Sequence, residues 1–127
     1  MVNQKLLLPQ EVETYYIIPT LRRYIAKYLK EQGLKQKDIA SLLMVHTAAI
    51  SQYTSAKRGN QIQFRKEVEK EIKKSTEKIT DTNSYIKEMQ RLLKFIRNTK
   101  VLCKIHCQFS NLPLKCNPYV IGCSEKE

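Results

Sequence analysis

Residues 36–53 read QKDIASLLMVHTAAISQY. Counting Gln36 as the first position, Ile39, Leu43, Val45, Ile50 and Tyr53 fall at the fourth, eighth, tenth, fifteenth and eighteenth. Those are the places that must be apolar to glue two short helices at a steep angle. Ala40, at the fifth, is small where the two helices touch and a larger side chain would push them apart. The spacing predicts one helix over about Gln36–Leu43 and a second over about Thr47–Ser55. The exposed positions of the second are then His46, Thr47, Ala48, Ser51, Gln52 and Ser55. These short or polar side chains suit the edges of bases in a major groove. Gln52 can pair bidentately with adenine, and Ala48 or the Thr47 methyl can touch a thymine methyl. Gln36 is placed to bond a phosphate. Arg22, Arg23, Lys35, Lys37, Lys57 and Arg58 surround the pair as further phosphate contacts.

Outward from this segment the helical period recurs, and no strand-like alternation runs for any useful length. The reading is therefore all-α. Residues 1–13 read as an arm with Pro9 as a breaker. A helix over about Thr14 or Thr20 to Gln32 carries Ile17, Ile18, Leu21, Ile25, Tyr28 and Leu29 inward, with Gly33 as its terminator. Pro19 either splits that helix or marks its first turn. Residues 14–60 thus make one helix-turn-helix domain. Residues 61–100 hold two amphipathic helices. The first buries Phe64, Val68, Ile72 and Ile79. The second, from about Tyr85 to Asn98, buries Ile86, Met89, Leu92, Leu93 and Ile96. DTNS, residues 81–84, supplies the break and the cap between them. These stripes exceed what a small domain alone would bury, which predicts a dimer interface.

The chain has 127 residues and a formal charge of +11, with 23 Lys and Arg against 12 Asp and Glu. Residues 20–59 carry eight basic and two acidic side chains, residues 60–102 eleven and six, and the last 25 three and two. The charge belongs to the body, and it points to a polyanion as partner. No apolar run approaches the ~20 residues of a membrane span, and KLLL near the start is too short for a signal-peptide core. A cytoplasmic protein with no membrane partner is expected. Catalysis is not: the chain offers no Gly-rich loop, no paired carboxylates in an apolar setting and no third group to orient a Cys103–His106 pair, and so no small-molecule substrate is expected.

All four cysteines, Cys103, Cys107, Cys116 and Cys123, lie in residues 101–127, read as a short tail that is irregular beyond about Cys107. In a reducing compartment four clustered thiols point to a metal or cluster rather than to disulfides. Their spacing, C-x3-C-x8-C-x6-C, lacks the two-residue knuckle that structural zinc sites favour. That favours an iron–sulfur cluster, with zinc as the alternative and disulfides or buried thiols behind it. His106 is expected at the surface or behind a ligand.

QKDIASLLMVHTAAISQYTSAKRG, residues 36–59, resembles the segment Q-x-x-x-A-x-L-L-G-V-T-x-A-A-V-S-Q-Y-x-S-G-K-R-G of archaeal Xre-type (Cro and phage-repressor-like) helix-turn-helix regulators. PQEVETYYIIPTLRRYIAKYLKEQGL, residues 9–34, resembles their helical lead-in, and VLCKIHC, residues 101–107, their G-L-L-C-then-His segment. The resemblance implies a transcriptional regulator that binds double-stranded DNA sequence-specifically, as a homodimer on a two-fold site. Met44 replaces the turn glycine, His46 the capping Thr, Ala56 a second Gly and Lys35 a capping Ser. Gln10 stands for a cysteine of many relatives, and Arg91 and Lys94 lie near the place of an upstream C-x-x-C. A metal site of those relatives therefore does not carry over through these positions.

Overall fold

The computed structural model describes residues 6–109. These residues are helical, and no strand occurs among them. Helix α1 (Pro9–Val12) runs into a π turn (Glu13–Ile17), which runs into α2 (Ile18–Glu31) with the backbone right-handed throughout. Pro9 does not break the chain here. It opens α1 as its first residue, where its missing N–H is an orphan anyway. The Glu11 carboxylate accepts the Leu8 N–H at 2.9 Å and completes that start. Leu7, Val12 and Glu13 are buried, so residues 7–13 of the expected arm pack on the body, while residues 1–5 lie outside the described residues.

Pro19 explains the π turn. A proline in a helix cannot donate to the carbonyl four residues back, and its ring collides with that carbonyl. Here the carbonyl is that of Tyr15. The backbone widens instead, and the Ile18 N–H reaches the Glu13 carbonyl five residues back. The Thr20 hydroxyl serves the Tyr16 carbonyl at 2.6 Å. Pro19 thus lies in the first turn of α2 and also marks a local break.

Gly33, at φ +96°, ends α2. Helices α3 (Gln36–Leu43) and α4 (Thr47–Thr54) follow, joined by three residues. Ile39, Ala40, Leu43, Ile50 and Tyr53 are buried and Val45 half-buried. The pair packs on itself, and both helices pack on α2.

Helix α5 (Lys66–Glu77) lies on α2, and α6 (Thr82–Asn98) lies on α5 and α3. Helix α6 starts earlier than the apolar pattern suggests because Asp81 caps it: its carboxylate accepts the Ser84 N–H at 2.8 Å. Phe64, Val68, Ile72, Ile79, Met89, Leu92, Leu93 and Ile96 are all buried within one chain. Apart from Ile86, the apolar positions of the two stripes are thus covered within one chain. Ile86 departs from its expected inward position and is 51% exposed.

Lys100, at φ 63°, separates α6 from a new helix, α7 (Val101–Phe109). The start of the cysteine-bearing segment is thus regular. Leu102, Ile105 and His106 form its inward stripe, packed against α1 and α6. His106 is fully buried, and its Nε2 is hydrogen-bonded to the Leu7 carbonyl. It is no surface group, because positions three and four after Leu102 face the core. The core is one connected cluster from Leu7 to Ile105, each large aliphatic side chain contributing about 1.5–3 kcal/mol.

Candidate nucleic-acid interface

Helix α4 rests on Ile50 and Tyr53 and turns the opposite face outward. His46, Thr47, Ala48, Ser51, Gln52 and Ser55 are all exposed. That face carries no carboxylate. A side-chain bond fixes its start: Gln36 Nε2, on α3, donates to the Thr47 carbonyl at 3.0 Å. Gln36 therefore locks the two helices together, a role its position did not announce.

The turn between α3 and α4 holds Met44 in the left-handed region, at φ 55° and ψ 44°. Ala56, just after α4, is also left-handed, at φ 60°. Both stand where the resembled pattern has glycine, and both keep the backbone a glycine would adopt. Neither Lys35 nor His46 caps its helix through the side chain.

Four of the expected cationic contacts lie open to solvent: Lys35 and Lys37 at the start of α3, and Lys57 and Arg58 after α4. The backbone N–H groups of Lys57 and Arg58 both donate to the Gln52 carbonyl, at 2.9 and 3.2 Å. The Arg58 guanidinium lies 5.7 Å from the centre of the Tyr53 ring. Arg22 and Arg23 are engaged inside the fold. Arg22 Nε donates to Tyr85 Oη at 3.4 Å. Burial works against the charge of Arg22, but hydrogen bonds with Tyr85 and Tyr53 outweigh it and raise its pKa. Arg23 Nε donates to the Gly59 carbonyl at 2.8 Å, and its guanidinium lies over the Tyr24 ring. Gly59 sits at φ +73°, and a Cβ there would fall 2.4 Å from the Pro19 carbonyl oxygen. The loop after α4 is thus pressed against the first turn of α2 and pinned by Arg23. The glycine of the KRG motif was a legible sign of that turn; the Arg23 brace had no signal in the sequence.

On α7, Cys103 is half-buried against the edge of the core and Cys107, four residues on, is exposed. Cys116 and Cys123 lie outside the described residues. His106 is not available to join the two thiols, since its ring is turned inward to Leu7. Among the described residues no group of three or more metal-ligating side chains comes together. Two thiols alone fall short of the four ligands of a closed structural site. No helix among these residues is long and apolar enough to cross a membrane. No family model, no curated protein and no solved structure matches this chain.

Proposed function

We propose that this chain regulates transcription by binding double-stranded DNA sequence-specifically, with α3 and α4 as a helix-turn-helix and α4 in the major groove. One observation carries the reading. The outward face of α4 is a continuous, uncharged set of short and polar side chains, bracketed by exposed Lys35, Lys37, Lys57 and Arg58. An uncharged reading face with cations at both ends divides base contacts from backbone contacts. In this reading Gln52 and Ser51 meet base edges, with His46, Thr47, Ala48 and Ser55 beside them. Arg22 and Arg23 act by holding α2, α4 and the following loop in place. A homodimer on a two-fold site rests on the resemblance, with no support from α5 and α6.

The test is an electrophoretic shift with genomic fragments. Specific, salt-sensitive binding is expected. Gln52→Ala together with Ser51→Ala relaxes specificity, whereas Arg58→Ala weakens binding to all sequences and lowers the salt slope by about one. No shift with any fragment overturns the reading in favour of a protein-interaction module.

The second part of the proposal is an iron–sulfur cluster held by Cys103, Cys107, Cys116 and Cys123. It is supported by the spacing and by the four-residue separation of Cys103 and Cys107 within one helix, α7. Protein purified without oxygen is then brown, with broad visible absorption. A colourless protein with stoichiometric zinc replaces the cluster by the zinc alternative.

A further inference from the structure

A cleft of about 420 Å³ opens between the π turn and the loop after α4. Its volume falls in the range of small-molecule sites. Tyr15 and Tyr16 supply phenol rings to its lining, Lys57 and Arg58 two cations, and Asn60 and Gln61 amides, with the buried Tyr53 beneath. No carboxylate lines it.

Its two walls meet at one residue. On the π turn just before Pro19, Tyr15 is 58% exposed and edge-on to Tyr16, with ring centres 6.5 Å apart. On the other side Gly59 is seated against the Pro19 carbonyl, and Arg23 holds the Gly59 carbonyl. The cleft is therefore formed before any ligand arrives, which lowers the ordering cost of binding.

The lining selects its occupant. Two cations without a neighbouring carboxylate call for an anion. An exposed phenol beside a second ring calls for a flat aromatic group, and the amides can meet a polar ring edge. We propose that the cleft binds a nucleotide, with its phosphate on Lys57 and Arg58 and its base against Tyr15. That chemistry is shared by a soluble nucleotide and by a nucleotide within a single strand. If the DNA-binding reading above also holds, occupancy takes Lys57 and Arg58 from the duplex backbone and releases the DNA.

Calorimetric titration of the full chain tests this, with ADP, inorganic pyrophosphate and a four-residue oligothymidylate as separate probes. ADP is expected to bind about tenfold or more tightly than pyrophosphate, the margin that one base–aromatic contact supplies. Tyr15→Ala removes that margin and leaves pyrophosphate binding unchanged, whereas Arg58→Ala weakens both. Tyr15 is an exposed side chain, so its variant keeps the fold, and a thermal melt checks this. Tighter binding of the oligonucleotide than of ADP, with the same response to both variants, assigns the cleft to a strand. The proposal is overturned if neither ADP nor the oligonucleotide binds, if pyrophosphate matches ADP, or if Tyr15→Ala changes nothing. Duplex DNA is absent from these titrations, so their outcome is independent of the electrophoretic shift.

Discussion

The α3–α4 turn reverses the chain in three residues and the α5–α6 turn in four, but they are secured differently. At the α5–α6 turn, Asp81 and Ser84 satisfy one another's backbone: Ser84 Oγ accepts the N–H groups of Thr80 and Asp81, each at 2.9 Å. Further along, Arg91 of α6 bonds Glu71 of α5 at 3.0 Å and Glu88 of α6 at 3.1 Å, and also reaches the Ser75 hydroxyl. At the α3–α4 turn a methionine takes the left-handed conformation, is 75% exposed, and α4 begins without a side-chain cap. One junction is polar and fully satisfied. The other is held by apolar contact, by backbone bonds from the Met44 and Val45 N–H groups to Ser41 and Ala40, and by the Gln36 side chain. A left-handed backbone at an exposed methionine is a local cost, and it falls at the junction beside the exposed, uncharged face of α4.

Breaking the polar junction has the largest expected effect. Arg91→Ala leaves the buried Glu88 without its cation and costs about 2–3 kcal/mol, read by denaturant unfolding. Met44→Gly sharpens the contrast in the other direction. It relieves the left-handed strain and raises stability by about 1 kcal/mol, read by the same denaturant unfolding. A loss of stability there would show that the Met44 side chain contributes more than its exposure suggests. Ser84→Ala removes a cap from the polar junction and costs about 0.5–1 kcal/mol. The smallest effect is in the pH dependence. Burial alone would push the Glu88 carboxyl up, but hydrogen bonds from Ser75 and Arg91 outweigh it and hold it below the usual carboxylate range. A carboxyl lowered in the folded state stabilises above its unfolded pKa, and that contribution is lost as pH falls through the folded value. Acid unfolding of Glu88→Gln is then flatter than that of the parent chain.

Periodicity exposed much of this fold because it reports which face of a helix is apolar. The inward sets of α2 and of the α3–α4 pair could be read directly, as could Gly33 and the cap at residues 81–84. Periodicity does not report what covers a face. For that reason Phe64, Val68, Ile72, Leu92 and Ile96 suggested a second copy of the chain, whereas all five are buried within a single copy, where α5 packs on α2 and α6 on α3, α5 and α7. Pro9 has one local signature for a break and for a helix start, and only the burial of Leu7 and Val12 distinguishes them. The π turn follows from Pro19 meeting a helix that continues on both sides. His106 looked peripheral beside two cysteines because its partner, Leu7, is 99 residues away. The outward face of α4 was legible residue by residue, but the internal engagement of Arg22 and Arg23 depends on Tyr85 and Gly59, which no spacing rule connects to them.

The tie between Leu7 and His106 also bears on the order in which the molecule assembles. Joining points 99 residues apart carries a loop-closure cost of about 4 kcal/mol when the chain between them is unfolded. Once α2 to α6 are in place, that span is already short and little of the cost remains. The bidentate pair of Arg97 with Glu13, at 2.8 and 3.0 Å, shortens it further. The contact between α1 and α7 is therefore expected to close late, after the middle helices are packed. Amide exchange is expected to show α1 and α7 opening together, ahead of the rest.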